Sequence, residues 1–216
     1  MDYGIQHRYI CVEGPIGVGK TTLTHLLAKD LNAQTFLEEF EDNPFLQSFY
    51  EDPKSVAFQT QVYFLMARYK QQANLRQPDL FSQRVVSDYL FSKDRIFAYL
   101  NLAPEELKLY DKIYDMVCEQ ILKPDLVIYL SARVETLMER IQQRGRQYEA
   151  NVDPSYLDEL MGLYNNFFNH YTDTPILLVD STTMNFQEDP KHYDLLMKTV
   201  ASITEGTHYL DPSSLS

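Results

Sequence analysis

The chain has 216 residues, 44% of them hydrophobic, which suits one compact domain spanning residues 1–216 and excludes an intrinsically disordered protein. Thirty-one acidic residues against 19 basic ones leave a formal net charge of -12, which repels nucleic-acid backbones. A small-molecule substrate is therefore expected rather than nucleic acid, and an anionic one requires a local basic pocket.

Cys11 and Cys118 are too few for a disulfide framework or a metal cluster and read as two reduced, buried thiols. No secretory pattern opens the chain, and no apolar run nears the roughly 20 residues that span a bilayer, so the expected setting is cytoplasmic with no membrane partner.

Tyr9 to Glu13 is a short apolar run that stops at glycine and reads as a buried strand. Within Thr21 to Leu31, Leu23, Leu26, Leu27 and Leu31 recur at helical spacing. Thr35 to Leu37 reads as a short strand ending on Glu38-Glu39. Ser55 to Gln72 carries Phe58, Val62, Leu65 and Tyr69 on one helical stripe. Arg84 to Asp88 reads as a strand ending in a carboxylate. Pro104 to Leu122 predicts a long helix, opened by proline and two glutamates. Asp125 to Leu130 predicts a strand, Val134 to Gln143 and Tyr156 to Tyr171 helices, and Ile176 to Asp180 a last strand. From about Thr204 the tail is polar and expected to be loose. The alternation predicts an α/β fold with a parallel five-stranded sheet flanked by helices. Ligands of such sheets sit beyond the carboxyl ends of the strands, where Glu13, Glu38, Asp88 and Asp180 fall.

Gly14-Pro15-Ile16-Gly17-Val18-Gly19-Lys20-Thr21 matches G-x-x-x-x-G-K-[ST] in full, between a predicted strand and a predicted helix. Its glycines let backbone N–H groups surround phosphate oxygens, and the helix N-terminus adds partial positive charge. Lys20 can reach the β- and γ-phosphates of a nucleotide, and Thr21 can hold Mg²⁺. The motif leaves kinase, ATPase, GTPase and regulator open. The GTPase branch is weakened by the lack of an Asp-x-x-Gly switch and an Asn-Lys-x-Asp guanine reader.

Two further groups stand out. Arg140 and Arg144 share a helix face, and Gly145 frees Arg146 beyond them. In a chain this acidic they read as a clamp that spreads charge on a transferring phosphoryl group; a solvated patch paired with Glu139 and Glu149 is the bland alternative. Gln61, Phe64, Leu65 and Arg68 share a face with Phe58, which points Gln61 and Arg68 inward. Glutamine can pair in bidentate fashion with a planar base, and Asp94 is a candidate partner for Arg68. An internal hydrogen-bond network without a ligand is the competing reading.

Taken together, these segments resemble the deoxyribonucleoside kinases, and within them the bacterial deoxyguanosine and deoxyadenosine kinase branch. The resemblance runs from about Tyr9 to about Tyr171. It is carried by Glu13 to Thr22, Glu38-Glu39, Asn43-Pro44-Phe45-Leu46, Phe49-Tyr50, Phe58-Gln59-Thr60-Gln61 through Arg68, Ser87-Asp88-Tyr89 through Asp94, Arg140 to Glu149, and Tyr156-Leu157. It implies a P-loop kinase fold with an arginine-rich lid. It further implies transfer of the ATP γ-phosphoryl to the 5′-hydroxyl of a purine deoxynucleoside, in nucleotide salvage, by a homodimer using Mg²⁺.

Residue by residue, Gly14 to Thr22 would bind ATP, and Thr21 with Asp88 the metal. Glu38 would be the general base at the 5′-hydroxyl, Gln61 the base reader, and Phe58 and Phe91 apolar walls. Tyr50 with Glu149 would hold the sugar 3′-hydroxyl. Arg68 with Asp94 would favour purines or cytosine over thymine. Arg140, Arg144 and Arg146 would form the closing lid. Asp88-Tyr89-Leu90 departs from the Glu/Asp-Arg-Ser of many members, whose arginine braces the reacting end. Arg68 and Lys93 are the candidates to replace it, and bacterial purine-type members with tyrosine there make it a subgroup mark. A nucleoside monophosphate kinase of the thymidylate type and a non-catalytic nucleotide-binding subunit remain as alternatives.

Overall fold

The computed structural model describes residues 3–39, 42–75, 84–146, 149 and 152–212. Residues 147–148 of the arginine segment and 213–216 of the tail lie outside them. The elements are β1 (Tyr9–Glu13), α1 (Lys20–Leu31), β2 (Gln34–Phe36), α2 (Leu46–Glu51), α3 (Pro53–Leu75), β3 (Val85–Ser87), α4 (Lys93–Asn101), α5 (Pro104–Cys118), β4 (Leu126–Ser131), α6 (Val134–Arg144), α7 (Pro154–Asn169), β5 (Ile176–Asp180), α8 (Pro190–Ser202) and β6 (Thr207–Tyr209). The strands form one parallel sheet in the order β2-β3-β1-β4-β5-β6.

β1 and β4 are buried along nearly their whole length, as expected of central parallel strands covered on both faces by helices. Ile10 lies opposite Val86 on one side and Leu126 on the other. Leu23, Leu27 and Ala28 of α1 fill the same core, and Tyr129, Tyr164 and Phe168 stack beside it. A second apolar cluster joins Phe49, Leu65, Phe91, Tyr110 and Tyr114, from α2, α3, α5 and the turn before α4.

The expected five strands become six. Thr207–Tyr209 adds to the edge of β5 and Leu210 behind it is buried, so the tail is not loose throughout its length from about Thr204. Polar strand residues misled the reading because an edge strand exposes its side chains: Thr207 and Tyr209 face solvent while the backbone pairs. α5 stops at Cys118, short of the expected Leu122, and turns close its end through the N–H groups of Gln120 and Ile121. Cys11 is buried as expected, but Cys118 is only half-buried.

Candidate active site

The carboxyl ends of β1, β2 and β3 converge on one cleft. β1 delivers Glu13, whose carboxylate is fully buried and fully used. Its Oε1 accepts from the Gly14 N–H (2.7 Å) and the Tyr164 hydroxyl (3.2 Å), and Oε2 accepts from the Leu90 N–H (2.7 Å). Glu13 thereby ties the loop after β1 to the segment after β3. That loop is packed too closely for side chains at two points. A Cβ on Gly14 would lie 2.3 Å from the Leu130 carbonyl oxygen. A Cβ on Gly17 would lie 2.8 Å from Ile141 and 2.9 Å from the Leu137 carbonyl, and Gly17 has φ of 82°.

The loop feeds α1, whose first residue, Lys20, donates from Nζ to the carbonyls of Gly14 (2.8 Å) and Pro15 (3.1 Å). Thr21 follows, and its Oγ1 donates to Asp88 Oδ2 at 2.6 Å. Asp88 stands just past β3, and its Oδ1 accepts the Glu38 N–H at 2.7 Å. One carboxylate thus locks the nucleotide loop's threonine to the segment after β2.

Glu38 is held by cations at both of its carboxylate oxygens. Arg68 of α3 bonds Oε1, and Lys93 at the start of α4 donates to Oε2 at 2.6 Å. Arg68 in turn bonds Asp94 and lies over the Phe64 ring, 4.8 Å from its centroid. Burial would raise the Glu38 pKa, but Arg68, Lys93 and Lys20 outweigh it and hold the carboxyl well below the usual range. A carboxyl depressed on folding stabilises the fold at neutral pH. That stabilisation begins to fade as the pH falls below the unfolded value of about 4.3 and is lost on passing the folded one. The acid limb of a pH–kcat profile should lie below pH ~4.3 if Glu38 sets it; a limb centred near pH 6 would assign it to another group.

Gln61, Phe64, Tyr50 and Glu149 line the same cleft, as do Lys20, Arg68, Lys93, Arg144 and Arg146: the basic pocket that the acidic composition required. Its empty volume of about 900 Å³, counted to the open mouth, accommodates a small organic substrate. Phe58 and Phe91 do not line it. Phe58 packs against the second apolar cluster and Phe91 lies on Tyr114, so Phe64, Phe97 and Tyr156 supply the apolar walls instead. Asp94 stands behind Arg68, outside the lining. Tyr89 is fully buried and is not among the residues lining the cleft; burial raises its hydroxyl pKa.

The three arginines divide. Arg144 bonds Glu149, and Arg146 lies 3.6 Å from the same carboxylate. Arg140 instead reaches the Val18 carbonyl (3.1 Å) and Ser181, at Oγ (3.1 Å) and the carbonyl (2.9 Å), clamping the glycine loop to the segment after β5. With Arg144 and Arg146 it also lines an adjoining hollow that includes Gly17, Thr22, Asn185 and Phe186. Sequence reading missed this 181–188 segment, although Asp180 marks the strand end that precedes it.

Phosphates held by the glycine loop would face Glu38 across the cleft, the arrangement of a P-loop kinase. The Deoxynucleoside kinase family model matches residues 10–205, and the chain belongs to that family of ATP-dependent phosphotransferases. The deoxyguanosine kinase of Bacillus subtilis is 37% identical over 183 residues, covering 82% of this chain and 88% of the relative. The deoxyadenosine/deoxycytidine kinase of the same organism is 30% identical over 201 residues, covering 90% and 92%. A solved structure of deoxyadenosine kinase from M. mycoides with bound dCTP superposes with a TM-score of 0.77 at 30% identity, covering 90% of this chain and all of the other. Among the described residues no helix is long and apolar enough to cross a membrane.

Proposed function

We propose that this deoxynucleoside kinase phosphorylates the 5′-hydroxyl of a purine deoxynucleoside, deoxyguanosine or deoxyadenosine, in nucleotide salvage. The observation that carries the reading is that Glu38 and the glycine loop line one cleft together with Lys20, Arg68 and Lys93. In this reading the loop from Gly14 to Thr22 holds the ATP phosphates, and Gln61 pairs with the base beside Phe64. Tyr50 and Glu149 take the sugar 3′-hydroxyl. Arg68, fixed by Asp94, sets the base preference. Arg144 and Arg146 close on the phosphates as a lid, while Arg140 anchors the lid helix to the loop.

Thr21 and Asp88 offer a hydroxyl and a carboxylate 2.6 Å apart, an oxygen donor pair that suits Mg²⁺ arriving with nucleotide phosphates better than a cage built of protein alone. When bound, the ion neutralises charge on the phosphate oxygens. The chain's own residues align the acceptor hydroxyl, exclude water and receive its proton at Glu38.

A coupled assay with ATP and each of deoxyguanosine, deoxyadenosine, deoxycytidine and thymidine, alongside their monophosphates, tests the reading. The purine deoxynucleosides should give the highest kcat/KM, thymidine the lowest, and the monophosphates no turnover. Turnover of thymidine monophosphate without turnover of any deoxynucleoside would transfer the chain to the monophosphate kinases.

The proposal extends to a cytoplasmic homodimer. Leu109 and Met116 of α5 are 51% and 77% exposed, and Met66 of α3 and Tyr99 of α4 are also exposed, apolar side chains of the kind a second copy would cover. Sedimentation should give about twice the monomer mass, and Met116→Glu should shift it toward the monomer.

A further inference from the structure

Lys93 sits where a lysine is hard to keep. It is 3% exposed, and it is the first residue of α4, where the helix dipole favours an anion rather than a cation. Its ammonium has three N–H donors, and the Glu38 bond at 2.6 Å takes one. Arg68 holds the other Glu38 oxygen but is shared with Asp94, so the two carboxylates are balanced only with Lys93 included. The ammonium lines the cleft together with Gly14, Lys20 and Thr21, on the side of the proposed acceptor hydroxyl. It is near enough to Lys20 that, after burial, Lys93 is the main cause of that lysine's lowered pKa. Two ammonium groups lining one cleft, Lys93 buried and Lys20 half-buried, favour an anion between them.

We propose that Lys93 is a catalytic residue, whose ammonium spans Glu38 and an oxygen of the transferring phosphoryl group while Lys20 holds the donor side. The inference rests on the deoxynucleoside kinase reading. In the step it serves, the 5′-oxygen of the deoxynucleoside forms a bond to the γ-phosphorus of ATP. The bond from that phosphorus to the β–γ bridging oxygen breaks, its electron pair leaves with ADP, and the hydroxyl proton passes to Glu38. Charge on the phosphoryl oxygens is then flanked by Lys20 and Lys93, and the Lys93 contact that is made in the transition state lowers the barrier.

The test uses the full-length chain and Lys93→Met, with Lys93→Gln carrying the same measurements should the first fail to fold. Turnover should fall about 10²-fold, with KM for ATP and deoxynucleoside within about threefold, and Lys93→Arg should recover part of it. Independently of turnover, fluoroaluminate binding to the enzyme with Mg-ADP and deoxynucleoside, read by ¹⁹F NMR, should be lost, while calorimetry shows near-normal deoxynucleoside affinity. Loss of deoxynucleoside affinity in step with kcat, or intact fluoroaluminate binding, would reduce Lys93 to a brace for Glu38 and overturn the inference. Wild-type enzyme inert toward all four deoxynucleosides would instead strike down the kinase reading itself.

Discussion

Glu38→Gln should lower kcat by about 10² to 10⁴ while the protein still folds and still binds a deoxynucleoside. The amide keeps the size of the carboxylate and one acceptor oxygen, so Arg68 or Lys93 keeps a partner. What it loses is the capacity to take a proton. Because three cations hold the Glu38 pKa well below the ordinary range, this carboxylate is a weak base at rest. On the proposed reading it would not strip the hydroxyl beforehand. It would align it and gain the proton only as the oxygen bonds to phosphorus and becomes acidic, in keeping with a loose transition state of phosphoryl transfer. Rapid-quench single-turnover kinetics isolate that step, and calorimetry with the deoxynucleoside alone isolates binding. A single-turnover rate within about threefold of wild type would remove Glu38 from proton transfer, since general-base contributions are far larger. Glu38→Asp refines the argument: it can take a proton but is one methylene short, so an intermediate loss is expected.

Much of this architecture could be read from the residues. The apolar runs of β1, β4 and β5 are continuous because those strands are covered on both faces, and the glycine loop stands between strand and helix where phosphate binding requires it. Glu38 and Asp88 were legible because strand ends mark ligand sites, and Thr21 because it closes the glycine-loop motif; the structure joins them through the two Asp88 oxygens.

What stayed hidden has physical causes. α8 begins Asp189-Pro190, an N-cap and N1 pair whose carboxylate accepts from the Lys191 N–H at 2.9 Å, so its start signal was present and went unread. α2 is six residues long, below the length at which periodicity speaks. α4 hides because its buried face includes Lys93 and Asp94, polar residues that a hydrophobic pattern scores as surface. Their burial makes sense only once Glu38 and Arg68 arrive from β2 and α3, a tertiary fact without a local trace. Phe58 failed for the opposite reason: a helical stripe says which side faces inward, not whether the interior there is core or cleft. α3 puts Phe58 against core and Phe64, nearly two turns on, against the cleft.

Arg68→Met should be the most damaging of the single substitutions for stability, costing about 3–5 kcal/mol. Arg68 is 5% exposed, and its guanidinium is shared by Glu38, 16% exposed, and Asp94, 1% exposed. Glu38 would keep Lys93. Asp94 would keep no cation among the described residues, and its Oδ2 already has no hydrogen-bond partner there. The expense therefore falls on a buried carboxylate left uncompensated, and urea unfolding measures it. Arg68→Met with Asp94→Leu should regain most of the loss, because exchanging a whole buried pair for apolar groups is close to neutral whereas removing half of it is not. The repaired fold should remain a poor kinase: Glu38 would hang on Lys93 alone, and the proposed base site would lose the guanidinium beside Phe64. Stability regained without activity would separate the two duties of Arg68. A single variant within about 1 kcal/mol of wild type would mean that water reaches Asp94 and screens it as at a surface pair.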